Sequence, residues 1–484
     1  MVVHLQNSID KFEQEYLDYH DTRVQYWDQI NANSLQKWSA YYRRKIIEAY
    51  SQLISPGAHV LELGCGRGEL LAGLKPELGV GVDFSVVAID QAKRNHPSYS
   101  FFLADVHELD IPPHTFDYVV ISELVNDLWD VQRVLQSIKP YCAPHTRVIF
   151  NFYSHLWNIP LSLGQKIKIA TPRLTQNWLA PNDMNNLLAI TGFQPLRAWA
   201  EVLAPIEVPG VSSFFNRYLA KLLPFKLFDM ANFVVARPVM EPATLLPTVS
   251  VIIAARNESG HIDELIARVP DMGAMTEIIF VEGHSTDDTY EAIERAIANN
   301  PQKNCKLIRQ TGKGKGDAVR AGFNHAAGDI LMILDADITV PPEDLPRFYD
   351  LLKNGSGEFI NGVRLVYPME GNAMRFANLL GNKFFSWAFS WLLGQTIRDT
   401  LCGTKVLWRR DYLRIAKNRV YFGDFDPFGD FDLLFGAAKL NLKIVEVPIR
   451  YRARRYGETN ISRWRHGWLL LRMVAFAARR IKFV

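Results

Sequence analysis

Short apolar runs bounded by glycine or an acid alternate with stretches of helical spacing along this chain, in two successive series. The first series comprises 59–65 (HVLELGC), 78–83 (LGVGVD), 101–105 (FFLAD), 116–122 (FDYVVIS), 147–152 (RVIFNF) and 233–237 (FVVAR). The second comprises 250–256 (SVIIAAR), 277–282 (EIIFVE), 306–310 (KLIRQ) and 328–335 (GDILMILD). Strands without polar alternation, separated by helical segments, predict parallel sheets covered on both faces. Between the series lies 237–247 (RPVMEPATLLP), whose three prolines disfavour continuous helix or strand. The pattern therefore predicts an α/β chain of two domains. We place the first at 1–240 with an N-terminal helical extension, a proline-rich linker at 241–248, the second domain at 249–462, and a basic amphipathic helix at 463–484.

In the first half, the run 59–65 ends in Gly64-Cys65-Gly66-Arg67-Gly68 and is followed by helical spacing from Glu69. Strand, glycine turn and helix bring backbone N–H groups close to a ligand. Asp83 closes the next strand about twenty residues on, and Asp105 closes the third; carboxyl ends of parallel strands share one edge, so all three features should converge there. Each acid taken singly also suits a helix cap. The E-L-G-C-G-x-G segment resembles the first motif of class I S-adenosylmethionine-dependent methyltransferases, over residues 40–238. The resemblance implies a Rossmann-like seven-stranded sheet and S-adenosylmethionine as cofactor. It implies further that Glu62, Gly64, Gly66 and Gly68 hold the methionine part, Asp83 the ribose and Asp105 the adenine amino group. His107, Glu123, Asn126 and His155 follow strands near the same edge.

In the second half, the strand 330–334 runs into Asp335-Ala-Asp337. If the chain stays extended, both carboxylates share one side and repel, a cost that Mg²⁺ or Mn²⁺ bridging to phosphate relieves. The loop 311–318 (TGKGKGDA) suits a phosphorylated ligand but lacks the P-loop Lys-Ser/Thr, which disfavours an ATPase. Together with A-R-N-E at 255–258, S-T-D-D-T at 285–289, G-K-G-x-A at 314–318, Asp399 with Gly403-Thr404-Lys405, and R-Y-G-E-T-N at 455–460, these residues resemble family 2 glycosyltransferases of the GT-A fold. Within that family they are similar to the polyprenyl- and dolichyl-phosphate hexosyltransferases. The resemblance implies that Asn257, Glu258 and Glu282 contact the nucleoside, with Lys315 near it, and that Asp335 and Asp337 hold the metal and the donor diphosphate. Arg364 and Arg455 would bind phosphate oxygens, alongside Asp399 and Lys405. Asp432, or its rival Asp430, would act as base or acceptor contact, and the anomeric centre would invert. Glu282-Gly283-His284 and Thr459-Asn460 depart from the common motifs.

Composition adds three limits. With 48% hydrophobic and 22% charged residues the chain is not disordered, and a formal charge of +3 argues against nucleic acid as the partner. Four scattered cysteines, Cys65, Cys142, Cys305 and Cys402, fit a reducing cytoplasm better than a disulfide framework or zinc knuckle. The amino terminus carries acids where a secretory signal needs an apolar core, and Asn378, Asn382 and Lys383 interrupt the one long apolar stretch, 376–394. From residue 439 onward, however, twelve lysines and arginines face two acids. There Trp464, Trp468, Leu471 and Ala475 follow helical spacing, as a helix on an anionic membrane surface would. The expectation is a bifunctional enzyme at the inner face of the membrane. It would pass a hexose from a nucleotide-sugar donor to a polyprenyl phosphate or glycan acceptor, and a methyl group to a second acceptor. The alternative is transfer to a polysaccharide, with the methyltransferase fold as a non-catalytic binding module.

Overall fold

A computed structural model describes residues 2–32, 37–167, 174–364, 366, 376–417, 430–452 and 463–483. The chain divides into two compact units between Val239 and Met240. Each unit is built on one seven-stranded sheet.

The first sheet contains β1 (His59–Leu63), β2 (Leu78–Asp83), β3 (Ser100–Leu103), β4 (Phe116–Ser122), β5 (Cys142–Tyr153), β6 (Phe193–Glu201) and β7 (Ala231–Pro238). Their order is β3-β2-β1-β4-β5-β7-β6, with β7 antiparallel to both neighbours and the pairs from β3 to β5 parallel. Strand period 2 sorts the side chains. Leu61, Leu63, Val119, Ile121, Val148 and Phe150 enter the core on one face, while Val60, Tyr118, Val120 and Ile149 enter the other. Each such side chain, fully buried, contributes about 1.5–3 kcal/mol. The helix Val2–Ala32, expected only as a helical extension, packs its Tyr16, Tyr19, His20, Arg23, Asp28 and Asn31 against loops following β1 to β4.

The second sheet contains β8 (Val249–Ala255), β9 (Thr276–Glu282), β10 (Asn304–Arg309), β11 (Ile330–Asp335), β12 (Phe359–Val363), β13 (Lys405–Trp408) and β14 (Ile444–Pro448). Its order is β10-β9-β8-β11-β13-β12-β14, with β13 antiparallel to β11 and β12. Ile330, Met332 and Leu334 face one core and Leu331 and Ile333 the other. The helix Lys315–His325 lies close on the sheet because Gly322 has no side chain: a Cβ there would come 2.5 Å from Ile252 Cγ2.

One sequence expectation needs correction. The Asp335-Ala-Asp337 segment is not extended; β11 ends at Asp335 and the chain turns at once, with Ile338 at φ +54°. A β-branched residue in the left-handed region is strained, by about 1–3 kcal/mol, and such strain concentrates at functional sites. The C-terminal segment is helical over Arg463–Ala477 and packs on its own unit by a stripe other than the one read for a membrane surface. Leu470, Met473 and Ala477 enter the core beside Phe385, Phe389 and Leu392 of the helix Phe376–Leu393, whereas Trp468, Leu471 and Ala475 face outward. Among the described residues, no helix is long and apolar enough to cross a membrane.

Candidate active sites

At the carboxyl edge of the first sheet, β1 leads into a turn in which Gly64, Gly66 and Gly68 all have positive φ, a backbone path open to glycine at little cost. A Cβ at Gly64 would meet Leu124 at 2.9 Å and one at Gly68 would meet Phe101 at 2.8 Å, while at Gly66 it would project into open space. The turn is held by Asp83, whose two oxygens accept the Gly66 and Ser85 N–H groups, each at 2.9 Å. Burial raises the Asp83 carboxyl above the ordinary range, and those two N–H donors oppose the rise. Glu62, buried, accepts the Leu71 N–H at 3.0 Å and is raised well above its usual value by burial. Beside the turn lies a cavity of about 190 Å³ lined in part by Asn31, Glu62, Gly64, Gly66, Ser122 and Glu123. The N–H groups of Gly64, Gly66 and Gly68 are spent on the Val82 carbonyl, Asp83 and the Cys65 carbonyl, so what the turn offers is close approach of bare backbone; that cradle, with a carboxylate at the end of β2, fits the nucleoside and methionine parts of S-adenosylmethionine.

Asp105 was read as the adenine contact. The structure shows its oxygens engaged: Oδ1 by the His107 N–H and Nδ1 at 2.9 and 2.8 Å, Oδ2 by the Tyr16 hydroxyl. Burial alone would raise this carboxyl; the bonds from His107 and Tyr16 instead hold it far below the carboxylate range. Glu123, at φ +56°, receives the Tyr153 hydroxyl at 2.6 Å. Nothing in the sequence pointed to Tyr16, which lies 89 residues from its partner.

At the second edge, β11 delivers Asp335 to the Lys315 ammonium, 2.5 Å away at the start of its helix. Gly403 passes so close that a Cβ would sit 2.2 Å from Asp335 Oδ2. Burial would raise the Asp335 carboxyl, but Lys315, with Lys405 and Arg364 behind it, holds it below the usual range. Lys405 is buried and donates to the Cys402 carbonyl. Arg364 is not simply a phosphate arm. Its Nε and Nη2 bind Asp399 at 2.7 and 2.9 Å, so these two residues are first of all a buried ion pair. Asp337 accepts the Thr339 N–H and hydroxyl at 3.1 and 2.7 Å.

Beyond β8 and β9, Asn257 Oδ1 accepts the Thr286 N–H at 2.8 Å, and Glu282 accepts the Ser285 N–H at 2.6 Å. Glu258 is buried against His261 at 3.0 Å. Asn257 and His284 both have φ +57°, so two strained loops meet here. Asp432 lies in the first turn of the helix Asp430–Lys439, with Arg320 Nη1 3.8 Å from its carboxylate. The Asp430 side chain, Arg455 and Thr459-Asn460 lie outside the described residues. The sequence reading did not single out Thr339, which bonds Asp337 two residues before it, Gln310, which bonds the Gly314 carbonyl and Asp317, or Arg320, whose partner Asp432 is far along the chain.

The sequence model of a methyltransferase domain matches residues 60–145, and that of glycosyl transferase family 2 matches 250–415. A dolichyl-phosphate hexose transferase of Haloferax volcanii is 31% identical over 216 residues, covering 44% of this chain and 86% of that protein. The chain belongs to glycosyl transferase family 2. A second relative of this family 2 glycosyltransferase, a dolichol-phosphate mannosyltransferase of Pyrococcus furiosus, is 31% identical over 225 residues, 44% of this chain; only 59% of that relative's length is spanned. Among solved structures, glucosyl-3-phosphoglycerate synthase of Mycobacterium tuberculosis aligns at 20% identity over 49% of this chain and 80% of its own, with a TM-score of 0.36. The family 2 glycosyltransferase is thus an enzyme with an N-terminal methyltransferase domain, and that domain implies S-adenosylmethionine.

Proposed function

We propose that the second unit transfers a hexose from a nucleotide sugar to a polyprenyl phosphate with inversion, and that the first unit methylates a separate acceptor. The observation that carries the first part is the convergence of Asp335, Lys315, Asp337, Lys405 and the Arg364–Asp399 pair on one sheet edge. Relatives named for dolichyl-phosphate transfer support the acceptor. Asn257 and Glu282 brace the loops on which a nucleoside would lie, and Asp432, buried near Arg320, stands as the acceptor contact or base. A phosphate acceptor is already ionised and needs little base strength, so in-line alignment carries most of the acceleration.

Among the described residues no three His, Cys, Asp or Glu side chains cluster as a complete metal site. Two carboxylates completed by diphosphate oxygens nevertheless suit a hard cation, and Asp337 with Asp335 would hold Mg²⁺ or Mn²⁺. When bound, such an ion neutralises charge on the departing nucleoside diphosphate. In the first unit, the sulfonium of S-adenosylmethionine supplies an activated methyl group. Asp83 and the glycine turn bind the cofactor, and Glu123 borders the same cavity.

We also propose that the enzyme sits on the cytoplasmic face of a membrane, with Trp468, Leu471, Phe384 and Trp387, all exposed, at the lipid surface. The deciding experiment supplies radiolabelled nucleotide sugars, Mn²⁺ and a polyprenyl phosphate, and analyses the lipid product by mass. Label in lipid with wild type and none with Asp337→Ala is expected. Absence of transfer with every common nucleotide sugar, or full activity in Asp337→Ala, refutes the reading.

A further inference from the structure

We infer that Lys315 is a resident counter-cation of the donor site: it neutralises Asp335 until a divalent ion enters, and then transfers its charge to the diphosphate. The inference rests on the donor-site reading above. Three observations support it. First, Lys315 Nζ lies 2.5 Å from Asp335 Oδ1, and both groups are only partly exposed. A Mg²⁺ or Mn²⁺ ion bound to the same carboxylate at roughly 2.0–2.2 Å would face a like charge only about 4 Å away, so ammonium and metal repel each other there. Second, the pair is backed by main chain. A Cβ on Gly403 would fall 2.2 Å from Asp335 Oδ2 and 2.5 Å from Lys315 Nζ, so only a glycine leaves room for the pair beside that main chain.

Third, Lys405 and Arg364 each have a partner other than Asp335. Lys405 is buried on the Cys402 carbonyl, and Arg364 is bound in two places to Asp399. Lys315 opens its helix directly after Gly314, at φ +85°, and carries its charge on a four-carbon stem. The helix amino end it occupies favours anions, so a lysine displaced from Asp335 finds the incoming diphosphate within the same field. Asp337 is braced by Thr339 and remains in place for the ion.

The test separates two ligands. Mn²⁺ alone is titrated into the full chain by electron paramagnetic resonance, and the preformed Mn²⁺–pyrophosphate complex is titrated by calorimetry. Lys315→Met keeps the length of the stem and removes the charge. It is expected to tighten bare Mn²⁺ about tenfold and weaken the Mn²⁺–pyrophosphate complex about tenfold, opposite shifts from one charge removed. Lys315→Arg should stay near wild type in both. Unchanged Mn²⁺ affinity in Lys315→Met, or weakening of both ligands together as a merely structural residue would give, overturns the inference. Asp337→Asn in each background is the control: Mn²⁺ binding that survives it shows that the donor-site reading itself has failed, whatever Lys315 does.

Discussion

Removing Asp399 should unfold the second unit at a much lower temperature, through the charge it leaves behind. Its carboxylate, fully buried, takes Nε and Nη2 of Arg364 at 2.7 and 2.9 Å and the N–H groups of Arg364 and Leu401, each at 3.0 Å. In Asp399→Ala the guanidinium keeps its charge without a partner, a loss of about 3–5 kcal/mol, and the two stranded N–H groups add roughly 1–3 kcal/mol each where water cannot reach them. For a unit of this size about 2–4 °C is lost per kcal/mol, so a loss of at least about 5 kcal/mol should lower the transition by roughly 10 °C or more. Burial would raise the Asp399 carboxyl, but Arg364 holds it below the ordinary value. A depressed carboxyl contributes its stability above the unfolded pKa of about 3.9 and loses it as pH falls through the folded value. The wild-type advantage should therefore be complete at pH 7 and shrink below about pH 4. Scanning calorimetry of the full chain reads this directly, because the first unit's transition serves as an internal reference. Replacing both partners, as Arg364→Met with Asp399→Leu, should recover most of the stability while sugar transfer stays lost. A shift under about 3 °C in the single variant, or a double variant no more stable than the single, would refute the assignment of a buried pair.

Three further outcomes are expected. Burial pushes the Asp229 carboxyl up to about 8, with the Glu201 charge adding to the rise. A raised carboxyl lends stability that is full below its unfolded pKa of about 3.9 and is lost as pH climbs through the folded value, so the melting advantage of Asp229→Asn over wild type should be small near pH 4 and larger at pH 9; an equal margin at both pH values would count against it. Asp83→Ala removes the acceptor that ties Gly66 and Ser85 together and should weaken S-adenosylmethionine by at least about tenfold in calorimetry, a result that unchanged affinity would contradict. Gly322→Ala forces a methyl group to within 2.5 Å of Ile252 and should cost about 1–3 kcal/mol in denaturant unfolding of the second unit; a neutral result would mean the helix can lift from the sheet.

Much of this enzyme is legible in one dimension because its chemistry hangs on strand ends. An apolar run that ends in glycines or an acid states both the element and the position of its polar residue on the sheet edge. That is why HVLEL, LGVGVD and ILMILD could be read correctly as strands. Periodicity also separated the two halves, since each must bury a sheet of its own. It did not say which side of the C-terminal helix would be buried: two apolar stripes compete there, and only the surface of Phe385, Phe389 and Leu392 selects Leu470, Met473 and Ala477 over Trp468 and Leu471.

The state of the polar groups belongs to the tertiary structure alone. Nothing local to Asp335 announces that Lys315 rests on it, that Arg364 is committed to Asp399, or that Tyr16 reaches Asp105 from the first helix. Residue type and spacing determine which charges a site possesses. Which of them neutralise one another depends on distances of a few ångströms between segments far apart in sequence, and only the packed sheets set those distances.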